Sequence, residues 1–207
     1  MNLKQQILNL QKSGVKESVD KRLLEFASFS EGRNDEWFSE LCFCLLTANS
    51  RASSTINIQK QIGARGFLHS PRENIAQVIR MNKHRFHNNK AKYIVNAREF
   101  CNVKDILAGL DSVGARAWLV ENVKGLGMKE ASHFLRNVGH NDLAILDRHV
   151  INVLLERGYL LERPKTLTPK KYLEIESVFK RIADSFEMSC AELDLYMWCL
   201  KTGQVLK

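Results

Sequence analysis

The residues best equipped for chemistry lie close together in this 207-residue chain. They are Val123-Lys124-Gly125-Leu126-Gly127-Met128-Lys129-Glu130, with Asp147 eighteen positions beyond Lys129. Two glycines one residue apart permit a tight turn and expose backbone N–H groups where a helix begins. Both properties suit a phosphate. Lys129, directly behind the turn, is an amine able to act as a nucleophile once deprotonated. Asp147 opens the next helical segment, where a carboxylate can cap the helix and also steady a cationic intermediate. A phosphate grip, an amine and a carboxylate point to covalent chemistry on a nucleic-acid backbone. The plainer reading is a turn between packed helices, a solvated Lys129 and an Asp147 that only caps.

Helices must position these groups. Apolar residues recur at helical spacing, the chain has 3 prolines, and no stretch alternates with period two. The pattern predicts helices over 3–10 and 15–29. It predicts a strongly apolar, buried helix from Glu36 to Ala48 capped by Asp35, and another from Ala52 to Ile62 ending at Gly63-Ala64-Arg65-Gly66. Ser70-Pro71-Arg72-Glu73 reads as a helix start with Ser70 as cap. Met81–Asn89 reads as a polar, basic loop and Lys90–Cys101 as helical. Asp111–Asn122 and Met128–Val138 flank the glycine turn, giving helix, hairpin, helix. Such a hairpin holds DNA phosphates without reading base sequence. Asp147 caps a helix that ends near Arg157-Gly158. Thr168-Pro169 opens a long helix to Phe186, and Ser189-Cys190-Ala191-Glu192 starts the last one, which ends near Thr202-Gly203.

Hydrophobic residues make up 44% of the chain, enough for a packed core. A formal net charge of +8 favours a polyanionic partner. No apolar run reaches the roughly 18 residues that span a bilayer, and the first residues do not resemble a signal peptide. The expected location is therefore the cytoplasm. Cys42, Cys44, Cys101, Cys190 and Cys199 are odd in number and scattered, without a zinc spacing, so neither a disulfide framework nor a metal site is expected.

The hairpin, Lys129 and Asp147 together resemble the helix-hairpin-helix DNA glycosylase superfamily, in which the lysine after the hairpin and the aspartate are the catalytic pair. Cys190 and Cys199 stand alone near the C-terminus, so the iron–sulfur cluster of endonuclease III-like members is not expected, and no cofactor is. Within the superfamily the chain resembles the compact, archaeal-type 8-oxoguanine DNA glycosylases. The likeness rests on its short length, on Leu45-Leu46-Thr47-Ala48-Asn49-Ser50-Arg51 after the apolar helix, and on the C-terminal run from Leu195 to Lys207. One departure is the lack of proline in the loop before Asp147.

The resemblance implies an all-α, two-lobed fold with the active site in the cleft between lobes. One lobe spans about 1–35 plus 150–207, the other about 36–149 with the hairpin. It implies a bifunctional enzyme that excises 8-oxoguanine from double-stranded DNA and then acts as a lyase at the abasic site, working as a monomer in a prokaryotic cell at the nucleoid. Catalysis falls to Lys129 and Asp147, and phosphate binding to Gly125 and Gly127. Asn49 would fill the gap left by an extruded nucleotide, with Arg51 on the orphaned base. Trp198 and a residue of the Met81–Phe86 loop, Phe86, would sandwich the flipped purine, and Lys207 would enter the base pocket. Two rivals stay open: a bifunctional glycosylase for oxidised pyrimidines, and a non-catalytic DNA-binding module.

Overall fold

The computed structural model describes residues 2–207 apart from Asn49 and Arg51. The described residues form α-helices, two 3₁₀ turns and loops. In chain order the helices are α1 (Leu3–Gln11), α2 (Val15–Ser28), α3 (Asn34–Thr47), α4 (Ala52–His69), α5 (Arg72–Met81), α6 (His87–Asn96), α7 (Val103–Leu107), α8 (Ser112–Asn122), α9 (Met128–Asn137), α10 (Arg148–Glu156), α11 (Pro169–Ser185) and α12 (Cys190–Thr202). They fall into two compact units, one of residues 1–27 and 139–207 and one of residues 28–138. Lys129 and the hairpin belong to the second unit, Asp147 and the C-terminus to the first.

In the unit of residues 28–138, α3 is the central helix. Every residue from Trp37 to Leu46 is buried, so it has no solvent stripe, and α4, α6, α7 and α9 pack around it. Cys42 and Cys44, on different faces of α3, are therefore both buried, and burial pushes the Cys42 thiol well up. Glu40 is buried too. Its two carboxylate oxygens accept from Gln59 Nε2 of α4 at 2.9 Å and Asn137 Nδ2 of α9 at 2.9 Å. A carboxylate in a core is tolerable only with such partners, and the pair ties the hairpin's second helix to α3.

Several local expectations change. Asp35 does not cap α3: it sits in the first turn, paired with Arg33, while Glu36 accepts from the Arg33 N–H at 2.7 Å. Gly63, with φ 65° and ψ 169°, kinks α4 rather than ending it, because a glycine takes that backbone without a steric penalty and helix resumes beyond it. Ser70 makes no cap bond, and Pro71 occupies the cap position of α5. Helix α6 starts at His87, three residues before the predicted point. The short α7 has no sequence signal long enough to show a period. Cys101 is exposed while the other cysteines are buried.

In the other unit, α12 is the buried element, with Cys190, Ala191, Leu193 to Met197 and Cys199 inside, and it packs on α1, α10 and α11. Its start is set by Ser189, whose Oγ accepts from Glu192 N at 3.1 Å. Its C-terminal turn is tied to α10, Lys201 Nζ lying 2.7 and 2.6 Å from the Glu156 carboxylate oxygens.

Candidate active site

The turn between α8 and α9 uses its two glycines differently. Gly125 has φ 101°, and a Cβ there would lie 2.7 and 2.9 Å from Tyr93 ring carbons. Only glycine fits on both counts. Gly127 has φ −103° and ψ −176°, extended backbone open to any residue, and a Cβ would meet only Glu130 Oε2 at 3.4 Å. Between them Leu126 is buried, and with buried Val123 it anchors the turn, the Leu126 N–H donating to Val123 O at 3.1 Å. Both glycines are exposed. The turn is fixed from beneath while its glycine backbone faces outward at the positive end of α9.

Lys129 occupies the first turn of α9, partly shielded, with its side chain 26% exposed. Its Nζ lies 3.0 Å from Glu130 Oε1. Behind this pair stands Lys90 of α6, buried, its Nζ donating to the Leu45 carbonyl in the last turn of α3. Burial pushes the Lys90 ammonium down to about 8; the Glu130 carboxylate opposes the fall and Lys129 adds to it. Lys129 thus sits in a small charge cluster with one carboxylate and a second, buried cation.

Asp147 is the N-cap of α10, and its Oδ1 accepts from both His149 N and Val150 N at 2.8 Å. Among the described residues Oδ2 takes no hydrogen bond. One oxygen therefore serves the helix while the other is available to a reacting group. The approach to Asp147 is rigid. Leu143 to Leu146 are all buried. Tyr172 OH donates to Ala144 O at 2.7 Å and accepts from Leu146 N at 3.2 Å. Glu176 Oε1, one turn further along α11, accepts from Ala144 N at 3.0 Å. These bonds satisfy a buried stretch of backbone outside any helix.

The base-pocket candidates divide between the units. Trp198 of α12 is half-buried, and the His149 ring meets it edge-on, centroids 4.9 Å apart at 78°. His149 in turn is held at the helix start that Asp147 caps, so Asp147 and Trp198 are linked through one residue. Val205, Leu206 and Lys207 are half-buried rather than a free tail. Phe86 lies with Lys129 in the unit of residues 28–138 and is 52% exposed. Asn49 and Arg51 lie outside the described residues.

A family model described as 8-oxoguanine DNA glycosylase (Ogg-HhH) matches residues 19–188. The chain belongs to the Ogg-HhH 8-oxoguanine DNA glycosylase family. A curated 8-oxoguanine DNA glycosylase/AP lyase of Methanocaldococcus jannaschii is 50% identical over 208 residues, covering 100% of each chain. The crystal structure of Methanocaldococcus jannaschii 8-oxoguanine glycosylase/lyase with a 15mer DNA containing 8-oxoguanine superposes with a TM-score of 0.96, covering 99% of both chains. The Thermotoga maritima 8-oxoguanine DNA glycosylase gives a TM-score of 0.94 at 40% identity, covering 99% of this chain and 98% of that one.

Several supports of the candidate site escape a reading of the sequence. Tyr172, Glu176, Lys90 and Tyr93 fall within predicted helices with nothing in the pattern to single them out, and His84 falls in the basic loop. A buried Glu and a buried Lys are informative only once burial is known. The one available hint was the spacing of Tyr172 and Glu176, which puts both on one face of α11.

Proposed function

We propose that this chain removes 8-oxoguanine from double-stranded DNA and then cleaves the strand at the abasic site. The observation that carries this reading is Lys129 in the first turn of the helix after a two-glycine hairpin, in a chain alike over its full length to an 8-oxoguanine DNA glycosylase/AP lyase. A base in the duplex must leave the stack to be reached. The neutral Lys129 amine then attacks C1′ as the C1′–N9 bond breaks, and the purine departs with the electron pair and takes up a proton. The amine adduct opens to a Schiff base, which acidifies C2′, and loss of a C2′ proton expels the 3′ phosphate by β-elimination. Asp147 Oδ2 stabilises the cationic sugar. Gly125 and Gly127 hold the backbone phosphate. Phe86 and Trp198 stack on the flipped base, Lys207 supplies polar contacts in its pocket, and Asn49 and Arg51 act on the gap and the orphaned base.

Protein side chains suffice for this chemistry, so no cofactor is invoked. Cys190 and Cys199 are both buried, and two thiols are half the four that hold an iron–sulfur cluster. We place the enzyme, as a monomer, at the DNA of a prokaryotic cytoplasm. Among the described residues no helix is long and apolar enough to cross a membrane.

The test is incubation with an end-labelled duplex bearing one 8-oxoguanine, with and without borohydride. Strand cleavage at the lesion and a trapped covalent adduct are expected. Cleavage confined to oxidised pyrimidines would shift the substrate class, and binding without any adduct would reduce the chain to a DNA-binding module.

A further inference from the structure

The turn joining α5 to α6 is strained and yet tightly held. Within Lys83-His84-Arg85-Phe86, both Lys83 (φ 55°) and Phe86 (φ 58°, ψ 33°) take the left-handed conformation. Non-glycine residues avoid that region, and a bulky aromatic avoids it most. A turn needing only to connect two helices would place glycine or asparagine there. Phe86 gains little packing in return, since its ring is 52% exposed, with the Arg85 guanidinium 5.3 Å from its centroid. Strain of this kind persists only where the surroundings over-determine it.

His84 does the determining. It is 6% exposed, its ring Nε2 lies 2.7 Å from the Leu46 carbonyl and its Nδ1 2.7 Å from the Arg85 carbonyl. One contact ties the turn to the last turn of α3, the helix buried on all sides. The other folds the turn onto itself just before Phe86. Lys90 adds a second tether, its Nζ on Leu45 O and its backbone N–H on Phe86 O at 2.9 Å. The C-terminal carbonyls of a helix lack intrahelical donors, and here two of them are taken by side chains from this one segment.

We propose that His84 is a positioning residue for lesion capture: it pins the strained turn to α3 so that Phe86 is presented as a preformed stacking surface for the extruded base. This rests on the reading of Phe86 as a base-stacking residue. His84 itself touches no substrate. Without it the turn relaxes toward ordinary backbone, and the ring at position 86 loses its fixed direction.

The test is a double-mutant cycle with Phe86→Ala, His84→Ala and the pair. Single-turnover excision of 8-oxoguanine is measured beside cleavage of a pre-formed abasic site. Phe86→Ala should slow excision about tenfold, the scale of one lost base–aromatic stack. His84→Ala should slow it comparably, and the double variant should be no worse than the poorer single within about twofold, because both remove one interaction. Abasic-site cleavage, which needs no stacked base, should fall far less in the His84 variants. If His84→Ala does not fold, His84→Gln takes its place. Its single amide nitrogen can stand in for only one of the two ring nitrogens, so excision should still fall more than abasic-site cleavage.

Wild-type excision by a His84 variant, equal loss on both substrates, or multiplicative losses in the double variant would each overturn the proposal. Wild-type excision by Phe86→Ala would instead remove the stacking reading on which it rests.

Discussion

The two hairpin glycines should fail in different assays. At Gly125 a methyl group meets two penalties. The backbone stands at φ 101°, where an L side chain costs about 1–2 kcal/mol. The new Cβ would also lie 2.7 Å from Tyr93 Cδ2 and 2.9 Å from Cγ, and such overpacking costs about 1–3 kcal/mol even after the neighbours shift. Together Gly125→Ala should destabilise the fold by about 3 kcal/mol, which for a chain of this size lowers Tm by roughly 6–12 °C.

Gly127→Ser should behave in the opposite way. Its φ and ψ are ordinary, the nearest atom to an added Cβ stands at 3.4 Å, and serine is favoured at a helix N-cap. Its stability should change by no more than about 0.5 kcal/mol. The added side chain, however, stands where a phosphate would approach the helix start. Duplex affinity should fall about tenfold, by the same factor with and without the lesion, because a phosphate contact carries no base information. Thermal melts and fluorescence anisotropy at fixed ionic strength separate the two effects, with binding measured on a Lys129→Gln background to prevent turnover. A Gly125→Ala protein melting with wild type, or a Gly127→Ser protein binding undamaged duplex normally, would refute this division. A loss confined to lesion duplex would move the hairpin into the base pocket.

Four other outcomes are expected. Lys129→Gln should still bind lesion duplex yet give no excision and no borohydride-trapped adduct, assayed on denaturing gels; trapping at the wild-type level would remove Lys129 as nucleophile. Asp147→Asn keeps an oxygen for the cap but loses the carboxylate charge, so it should melt near wild type while single-turnover excision drops about 10² or more; near-normal excision would leave Asp147 as a cap alone. Deleting Lys207, or extending the chain beyond it, should reduce 8-oxoguanine excision far more than abasic-site cleavage, and parallel losses would place the terminus outside the pocket. Lys90, lowered to about 8 from 10.5, binds its proton less tightly folded than unfolded. Its burial penalty is complete below pH 8 and is relieved as pH rises toward 10.5. Relative to Lys90→Met, the wild-type protein should therefore gain about 1 kcal/mol between pH 7 and 9, and urea melts showing no relative gain would contradict this.

What the sequence made legible is local in the chain. The Asp147 cap bonds to residues two and three positions on, and the starts at Thr168 and Ser189 each bond three positions on. The hairpin is a turn of five residues between two helices. Such features depend on neighbours that a reader of sequence sees side by side. The supports depend on distant partners: His84 on Leu46, Lys90 on Leu45, Tyr172 on Ala144, and Glu40 on Asn137, which are 38, 45, 28 and 97 positions apart. No periodicity encodes those pairs, because each is set by how helices pack.

The same division explains why Gly63 misled while Gly125 did not. Both have positive φ, but at Gly63 nothing stands within 4 Å of where a Cβ would lie, and helix continues past it. Gly125 is pressed against the Tyr93 ring, which itself sits on α6. A glycine's backbone freedom can be read from its type; whether the fold needs that freedom depends on what stands opposite. At this site what stands opposite is supplied largely by α6 and the turn before it. Lys90 behind Lys129, Tyr93 beneath Gly125 and His84 beside Phe86 all come from ten consecutive residues, 84–93. A substitution in that segment should therefore disturb Lys129, the hairpin or Phe86 according to which of the three it touches, although none of His84, Lys90 and Tyr93 is itself a proposed site residue.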